Sequence, residues 1–267
     1  MKCLCCYQET HSDLEYHPKC IKRLFGSTPE IDFAQSETTQ NAINNIKNGI
    51  VISGIQEKFN IQIKKNHKVV FELGSNAFIV KPQSPQVPFM PENEHLSMQL
   101  AEIVGLRVAN HGLIRFKSGE LGYITKRFDR QNNSKIHVED FCQILNLRPN
   151  QKYESNMETV GLKIRQLCTH VGFETLQFFE AAVFCFIIGN SDMHLKNFSL
   201  LIFQNKMVQL APLYDIISFF VLDPKDNDQM ALAINNKTEK LNLEDFEKFG
   251  ETLKINLKAR EAVYYKF

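Results

Sequence analysis

At 267 residues the chain is long enough for two lobes or two modest domains, and its 43% apolar and 10% aromatic content can fill a real core. Its 31 basic against 30 acidic residues give a net charge of +1, so no direct nucleic-acid binding and no anionic membrane partner are expected. No apolar run approaches the ~20 residues that span a bilayer, and the opening MKCLCCYQETHSD lacks the apolar centre of a signal peptide, so a cytoplasmic location is expected.

Four of the seven cysteines fall in the first twenty residues. Cys3-x-x-Cys6 followed by His17-x-x-Cys20 has the ligand types and spacing of a small zinc site, with Cys5 left as a spare thiol. The other reading is a terminus with reduced thiols. Cys142, Cys168 and Cys185 lie in apolar surroundings and read as small core residues. Residues 31–48 read as a linker and a weak helix. Next, 49–63 reads as two strands interrupted by a turn at Ser53-Gly54, since FNIQI alternates apolar and polar. KKNHK (64–68) reads as a hairpin turn and VVFEL (69–73) as its return strand. AFIVKP (77–82) is a further strand that brings Lys81 to its end, before a proline.

A proline-rich loop (84–91) leads to a helix expected over 92–106, with Leu96, Leu100, Ile103 and Leu106 as its apolar stripe. VANHGLIRF and GYITKRFDR are two more strands around the turn KSGE. After Asp129 the pattern turns helical: HVEDFCQILNL, VGLKIRQLCTHV and FETLQFFEAAVFCFII are expected helices. FSLLIF and MVQLAP form a hairpin over QNK, and 241–267 reads as one or two amphipathic helices. The organisation expected is a cysteine-rich segment (1–30), a β-rich N-lobe (31–130) and a helical C-lobe (131–267). This is an α+β, two-lobed arrangement of the protein-kinase kind.

The chemistry is densest in GNSDMHLKNFSLL (189–201), a polar loop between apolar runs. Asp192, four residues and Asn197 has the spacing of a kinase catalytic loop, in which the Asp accepts the substrate proton and the Asn binds magnesium. A capped turn would explain this segment alone. The remaining parts of a phosphoryl-transfer site follow in the expected order. Ser53-Gly54 would cover the nucleotide phosphates, with Gly54 permitting close approach. Lys81 would reach those phosphates. Glu94, in preference to Glu92, would hold Lys81. Asp215 in LAPLYDIIS, after a hairpin, would be the second metal-binding residue. His194 and Lys196 lie inside the loop and are further nucleotide-binding candidates.

These segments resemble the HipA-like serine/threonine kinases, the toxins of bacterial toxin–antitoxin systems. The resemblance rests on GNSDMHLKNFSLL and LAPLYDIIS, and extends to SGIQEK, the IVKP around Lys81, ENEHLSMQLAEIVGL, KRFDR, HVEDFCQIL and the Tyr-Glu-Ser of QKYES. It implies Asp192 as catalytic base, Asn197 and Asp215 as Mg²⁺ ligands, Lys81 on the ATP phosphates and autophosphorylation at Ser53. It also implies an aminoacyl-tRNA synthetase substrate, of tryptophanyl or glutamyl type, and a helix-turn-helix, HipB-like antitoxin. The early position of the Ser53 loop is similar to the short HipT kinases of HipB–HipS–HipT systems, which implies a HipS-like partner. Val51 stands where a second loop serine occurs in HipT. A small-molecule kinase of the aminoglycoside-phosphotransferase type and a non-catalytic pseudokinase binding module are the competing readings. The first usually has a more acidic cleft than this neutral chain advertises, and the second needs none of Lys81, Asp192, Asn197 and Asp215 together.

Overall fold

The computed structural model describes residues 1–10, 14–26, 58–63, 69–71, 77–131, 134–223 and 228–267. The chain divides into two compact units, one of Met1–Gln99 and Ala109–Phe128, the other of Leu100–Val108 and Asp129–Phe267.

The first unit is built on an antiparallel sheet of β1 (Phe59–Ile63), β2 (Val69–Phe71), β3 (Phe78–Pro82), β4 (His111–Arg115) and β5 (Leu121–Lys126). Among the described residues its spatial order is β2-β1-β3-β5-β4. Period-two alternation becomes burial here. Pairing of Phe59 with Val80 and Ile61 with Phe78 gathers four buried side chains on one face, and Ile124 joins them opposite Val80. Lys81, Tyr123 and Leu113 are paired one step along and so take the opposite face.

Residues 1–26 belong to the same unit. Cys3, Leu4, Cys5, Tyr16, Leu24 and Phe25 share one apolar cluster with Ile61, Phe78, Val80 and Ile124. Gly112 makes that packing possible, because a Cβ there would meet Leu24 Cδ2 at 2.8 Å and Cys5 Sγ at 2.9 Å. The Leu113 N–H donates to the Leu4 carbonyl at 2.7 Å, so the edge strand β4 is covered.

The helix expected over 92–106 runs from Met90 to Ile103. Its expected apolar stripe is the outer one: Leu96 is 49% exposed, Leu100 41% and Ile103 70%. Leu106, beyond the helix end, is buried. The buried positions are Pro91, Glu94, His95, Ser97, Met98 and Ala101. Hydrophobic periodicity fails here because the inward face carries polar groups with partners across the sheet.

The second unit holds a two-stranded ribbon of β6 (Arg130–Gln131) and β7 (Ser134–Lys135) and a three-stranded antiparallel sheet, β10-β9-β8, of β8 (His137–Asp140), β9 (Ser199–Ile202) and β10 (Val208–Leu210). The hairpin of β9 and β10 is as expected, but HVED is a strand rather than part of a helix over 137–147. Asp140 ends that strand and caps a short helix, Phe141–Ile144, through a capping box with Gln143. Val138 pairs with Leu201 instead of continuing the helical repeat. Helices Met157–Leu167 and Val171–Ile187 follow. The second is buried over most of its length, with Phe178 edge-on to Phe198 at 5.1 Å and Phe179 against Phe249 at 5.5 Å. The C-terminal stretch is two helices, Leu243–Thr252 and Leu257–Lys266, each capped by an asparagine side chain at Asn242 and Asn256. Cys142, Cys168 and Cys185 are buried free thiols. Among the described residues no helix is long and apolar enough to cross a membrane.

Candidate active site

In the first unit, β3 delivers Lys81 to the face covered by the Met90–Ile103 helix. Lys81 Nζ donates to both carboxylate oxygens of Glu94, at 2.7 and 2.9 Å. Lys81 is 6% and Glu94 1% exposed. Two charges so deeply buried persist because they neutralise each other with two-point geometry. The Tyr123 ring lies 5.6 Å from Nζ and adds its π-face to the ammonium. Beside this pair, His95 Nδ1 and His111 Nδ1 are 2.8 Å apart, one ring donating and the other accepting. Burial, then the neighbouring Arg23, pushes His111 down to about 3, and burial holds His95 well below the usual imidazole range.

In the second unit, the helix Val171–Ile187 gives way to a turn at Gly189, φ +66°, and the Asn190 N–H closes it on the Cys185 carbonyl at 2.8 Å. Asn190 Oδ1 accepts from the Asp192 N–H at 3.2 Å, and the Asp192 carbonyl accepts from the His194 N–H at 2.8 Å. A 3₁₀ turn, Leu195–Asn197, completes the loop. Met193 and Leu195 are fully buried and pin it from beneath, which leaves Asp192 half-exposed above. The segment GNSDMHLKN thus alternates anchors with polar groups.

Asn197 is buried and its Nδ2 donates to the Asp215 carbonyl at 3.4 Å. Asp215 sits at φ +61°, the left-handed region that a non-glycine residue enters at a cost. Its position is fixed on the chain side as well. The Leu213 N–H donates to the Arg107 carbonyl at 2.8 Å, and Tyr214 Oη bonds Ser199 Oγ at 2.6 Å and the Lys196 carbonyl at 2.8 Å. Burial pushes the Tyr214 hydroxyl far above its ordinary range, so it stays a neutral donor. His194 is buried, and that burial lowers its pKa against the opposing pull of Asp192. Its Nδ1 has no hydrogen-bond partner among the described residues.

The structure therefore brings Asp192, His194, Lys196, Asn197 and Asp215 into one constellation, and Lys81 with Glu94 into another. Ser53 and Gly54 lie outside the described residues. Lys196 has a partner that the spacing did not reveal: its Nζ donates to Asp140 Oδ2 at 2.5 Å. Tyr153 was likewise unassigned, although the Tyr-Glu-Ser of QKYES marked its segment. Its hydroxyl donates to Asp192 Oδ1 at 2.5 Å.

Apart from these groups, Cys3, Cys6, His17 and Cys20 bring their ligand atoms within 4.8 Å of one another. The fifth residue, Cys5, turns into the apolar cluster, where burial pushes its thiol up.

Residues 50–265 match the family model of the HipA-like C-terminal domain. A Haemophilus influenzae protein named "Putative kinase" is 27% identical over 85% of this chain and 74% of its own length. The Shewanella oneidensis serine/threonine-protein kinase toxin HipA is 27% identical over 70% of this chain, which spans 47% of that protein. The structure is similar to that of HipA from Shewanella oneidensis MR-1, solved in complex with HipB and operator DNA. The TM-score is 0.71 at 20% identity, over 91% of this chain and 64% of that one. At that identity the likeness speaks for the fold, an α+β kinase-like fold as the sequence suggested. The chain belongs to the family of the HipA-like C-terminal domain.

Proposed function

We propose that this chain is an ATP-dependent serine/threonine protein kinase, the toxin of a bacterial toxin–antitoxin system working in the cytoplasm. The observation that carries the reading is the Asn197–Asp215 link. Asn197 directs its amide nitrogen to the Asp215 carbonyl, which leaves the amide oxygen as a ligand. The same bond helps hold Asp215 in its left-handed conformation. An amide oxygen and a carboxylate are the hard donors that suit Mg²⁺. When bound, Mg-ATP supplies the phosphoryl group and neutralises its charge.

The chain's own residues do the rest. Asp192 accepts the proton of the substrate hydroxyl, and Tyr153 orients that carboxylate. Lys81, held by Glu94, meets the nucleotide phosphates. Lys196 is tied to Asp140 as Lys81 is to Glu94, and its carbonyl fixes Tyr214. Ser53 would be the site of autophosphorylation, placing about −1.5 to −2 charges beside the nucleotide phosphates and lowering ATP affinity.

Family membership and the names of the relatives support a HipA-like kinase toxin, the solved HipA–HipB complex supports a HipB-like partner, and the finer reading rests on the sequence resemblance. That reading is a HipT-like short kinase with HipB-like and HipS-like protein partners, acting on an aminoacyl-tRNA synthetase of tryptophanyl or glutamyl type. Phosphoproteomics of bacteria expressing the wild type against Asp192→Asn tests it. A single dominant phosphosite on a synthetase, absent with the variant, is expected, and indistinguishable phosphoproteomes would refute it.

A further inference from the structure

Within the first unit, four side chains from two short motifs converge on one point. Cys3 and Cys6 come from a tight turn in which the Tyr7 N–H donates to the Cys3 carbonyl at 3.0 Å. His17 and Cys20 come from the start of the helix Pro18–Leu24. Their ligand atoms all lie within 4.8 Å of one another. Ligands of a tetrahedral zinc, at ~2.3 Å for sulfur and ~2.0 Å for nitrogen, stand roughly 3.5–3.8 Å apart. Cys6 Sγ and His17 Nδ1 are already 3.4 Å apart.

The histidine is oriented as a ligand should be. His17 Nε2 lies 2.9 Å from the Glu9 carbonyl, which can only accept, so Nε2 carries the proton. The lone pair is then on Nδ1, the nitrogen that faces the thiols. A ring fixed by a backbone carbonyl on its far side is the usual outer partner of a metal-bound imidazole. The His17 N–H also donates to Cys3 Sγ at 3.4 Å, which ties the two motifs together.

The setting points to a structural role. Four protein ligands close a tetrahedral shell and leave no position for a substrate. Residues 1–26 are too few for a core of their own, and segments this small are commonly stapled by a metal or disulfides. What they hold is specific. Leu4 caps edge strand β4, Tyr16 Oη donates to the Leu113 carbonyl at 2.9 Å, and Tyr7 lays its ring 4.7 Å from that of His95. His95 is the neighbour of Glu94, which holds Lys81.

We propose that Cys3, Cys6, His17 and Cys20 bind one structural Zn²⁺, and that this metal clamps the N-terminal segment onto strand β4 and the Glu94-bearing helix. Binding takes three thiolates and a neutral imidazole and releases three thiol protons to solvent if all are protonated beforehand.

Elemental analysis and cobalt substitution of the full chain test this, independently of any kinase activity. The purified protein is expected to carry about one equivalent of zinc. The Co²⁺ form should show thiolate-to-metal charge transfer and tetrahedral d–d bands. Cys6→Ser should lose most of the metal, whereas Cys5→Ser should retain it. Should Cys6→Ser fail to fold, His17→Cys still decides: it should keep the metal and shift the cobalt bands toward an all-sulfur site. Removal of zinc should speed amide exchange in 90–99 and 111–115. Protein that binds neither zinc nor cobalt, or that folds as stably with Cys3, Cys6 or Cys20 in a disulfide, would overturn the proposal. So would equal metal loss in Cys5→Ser and a folded Cys6→Ser.

Discussion

Tyr153 Oη and Asp192 Oδ1 are joined by a 2.5 Å hydrogen bond between residues 39 apart in sequence. The contact is one of several between the two segments. The Leu195 N–H donates to the Lys152 carbonyl at 3.1 Å, and the Tyr153 and His194 rings meet edge-on at 5.3 Å. Burial and then Asp192 itself push the Tyr153 hydroxyl above its ordinary range, so it remains a donor at neutral pH. Asp192 is therefore aimed by a second segment of chain. Tyr153→Phe is expected to lower kcat roughly tenfold, the lower end for one hydrogen bond to a charged group, and to leave the KM for ATP unchanged. Steady-state kinetics decide, and an equal rise in the ATP KM would place Tyr153 in nucleotide binding instead.

The Lys81–Glu94 pair makes a different kind of demand. Lys81→Met leaves the buried Glu94 carboxylate without the ammonium that faces it, and such a loss costs about 3–5 kcal/mol of stability. The double variant Lys81→Met/Glu94→Leu removes both charges and is expected to recover most of that loss without recovering ATP binding. Chemical denaturation and nucleotide titration of the two variants separate packing from function. Recovery of ATP affinity in the double variant would remove Lys81 from the phosphate-binding role.

The histidine pair predicts a pH dependence. His111 has an ordinary value of 6.5 and is pushed to about 3 in the fold by burial and Arg23, and His95 shifts the same way. Below about pH 6.5 the unfolded chain takes up protons that the folded pair refuses, so stability falls as pH falls through this window. The slope is ~1.4 kcal/mol per pH unit for each histidine that stays neutral. Urea unfolding between about pH 6.5 and about pH 4.5 should show it, and a His95→Leu/His111→Leu variant should show a shallower slope. A flat profile in the parent would contradict neutral burial.

Much of the candidate site was legible because its parts are local. Asp192 and Asn197 share a loop of fixed spacing between apolar runs, and Lys81 ends an alternating strand. The two motifs at the N-terminus were legible for the same reason, since Cys3 with Cys6 and His17 with Cys20 are each three residues apart. What escaped was non-local or polar. Nothing near Tyr153 or Asp140 in sequence says that one reaches Asp192 and the other Lys196. Glu94 was expected to meet Lys81, but the rest of the inward face of the Met90–Ile103 helix was missed because His95 looks like a surface residue until His111 stands opposite it. The capping box of Asp140 and Gln143 marks the start of the helix at Phe141, and that signal went unread, so the helix was extended backward over the strand HVED.

The division of labour between Asp192 and Asp215 is the centre of this account, and calorimetric titration of Mg-ATP paired with single-turnover transfer measures it. Asp192→Asn is expected to bind Mg-ATP within about threefold of the wild type while losing roughly 10²–10⁴ in turnover, the span of a general base. Asp215→Asn should weaken Mg-ATP binding by more than about tenfold, because a hard cation loses a carboxylate. Undiminished transfer by either variant, or equal weakening of nucleotide binding by both, would contradict the assignment of base and metal ligand.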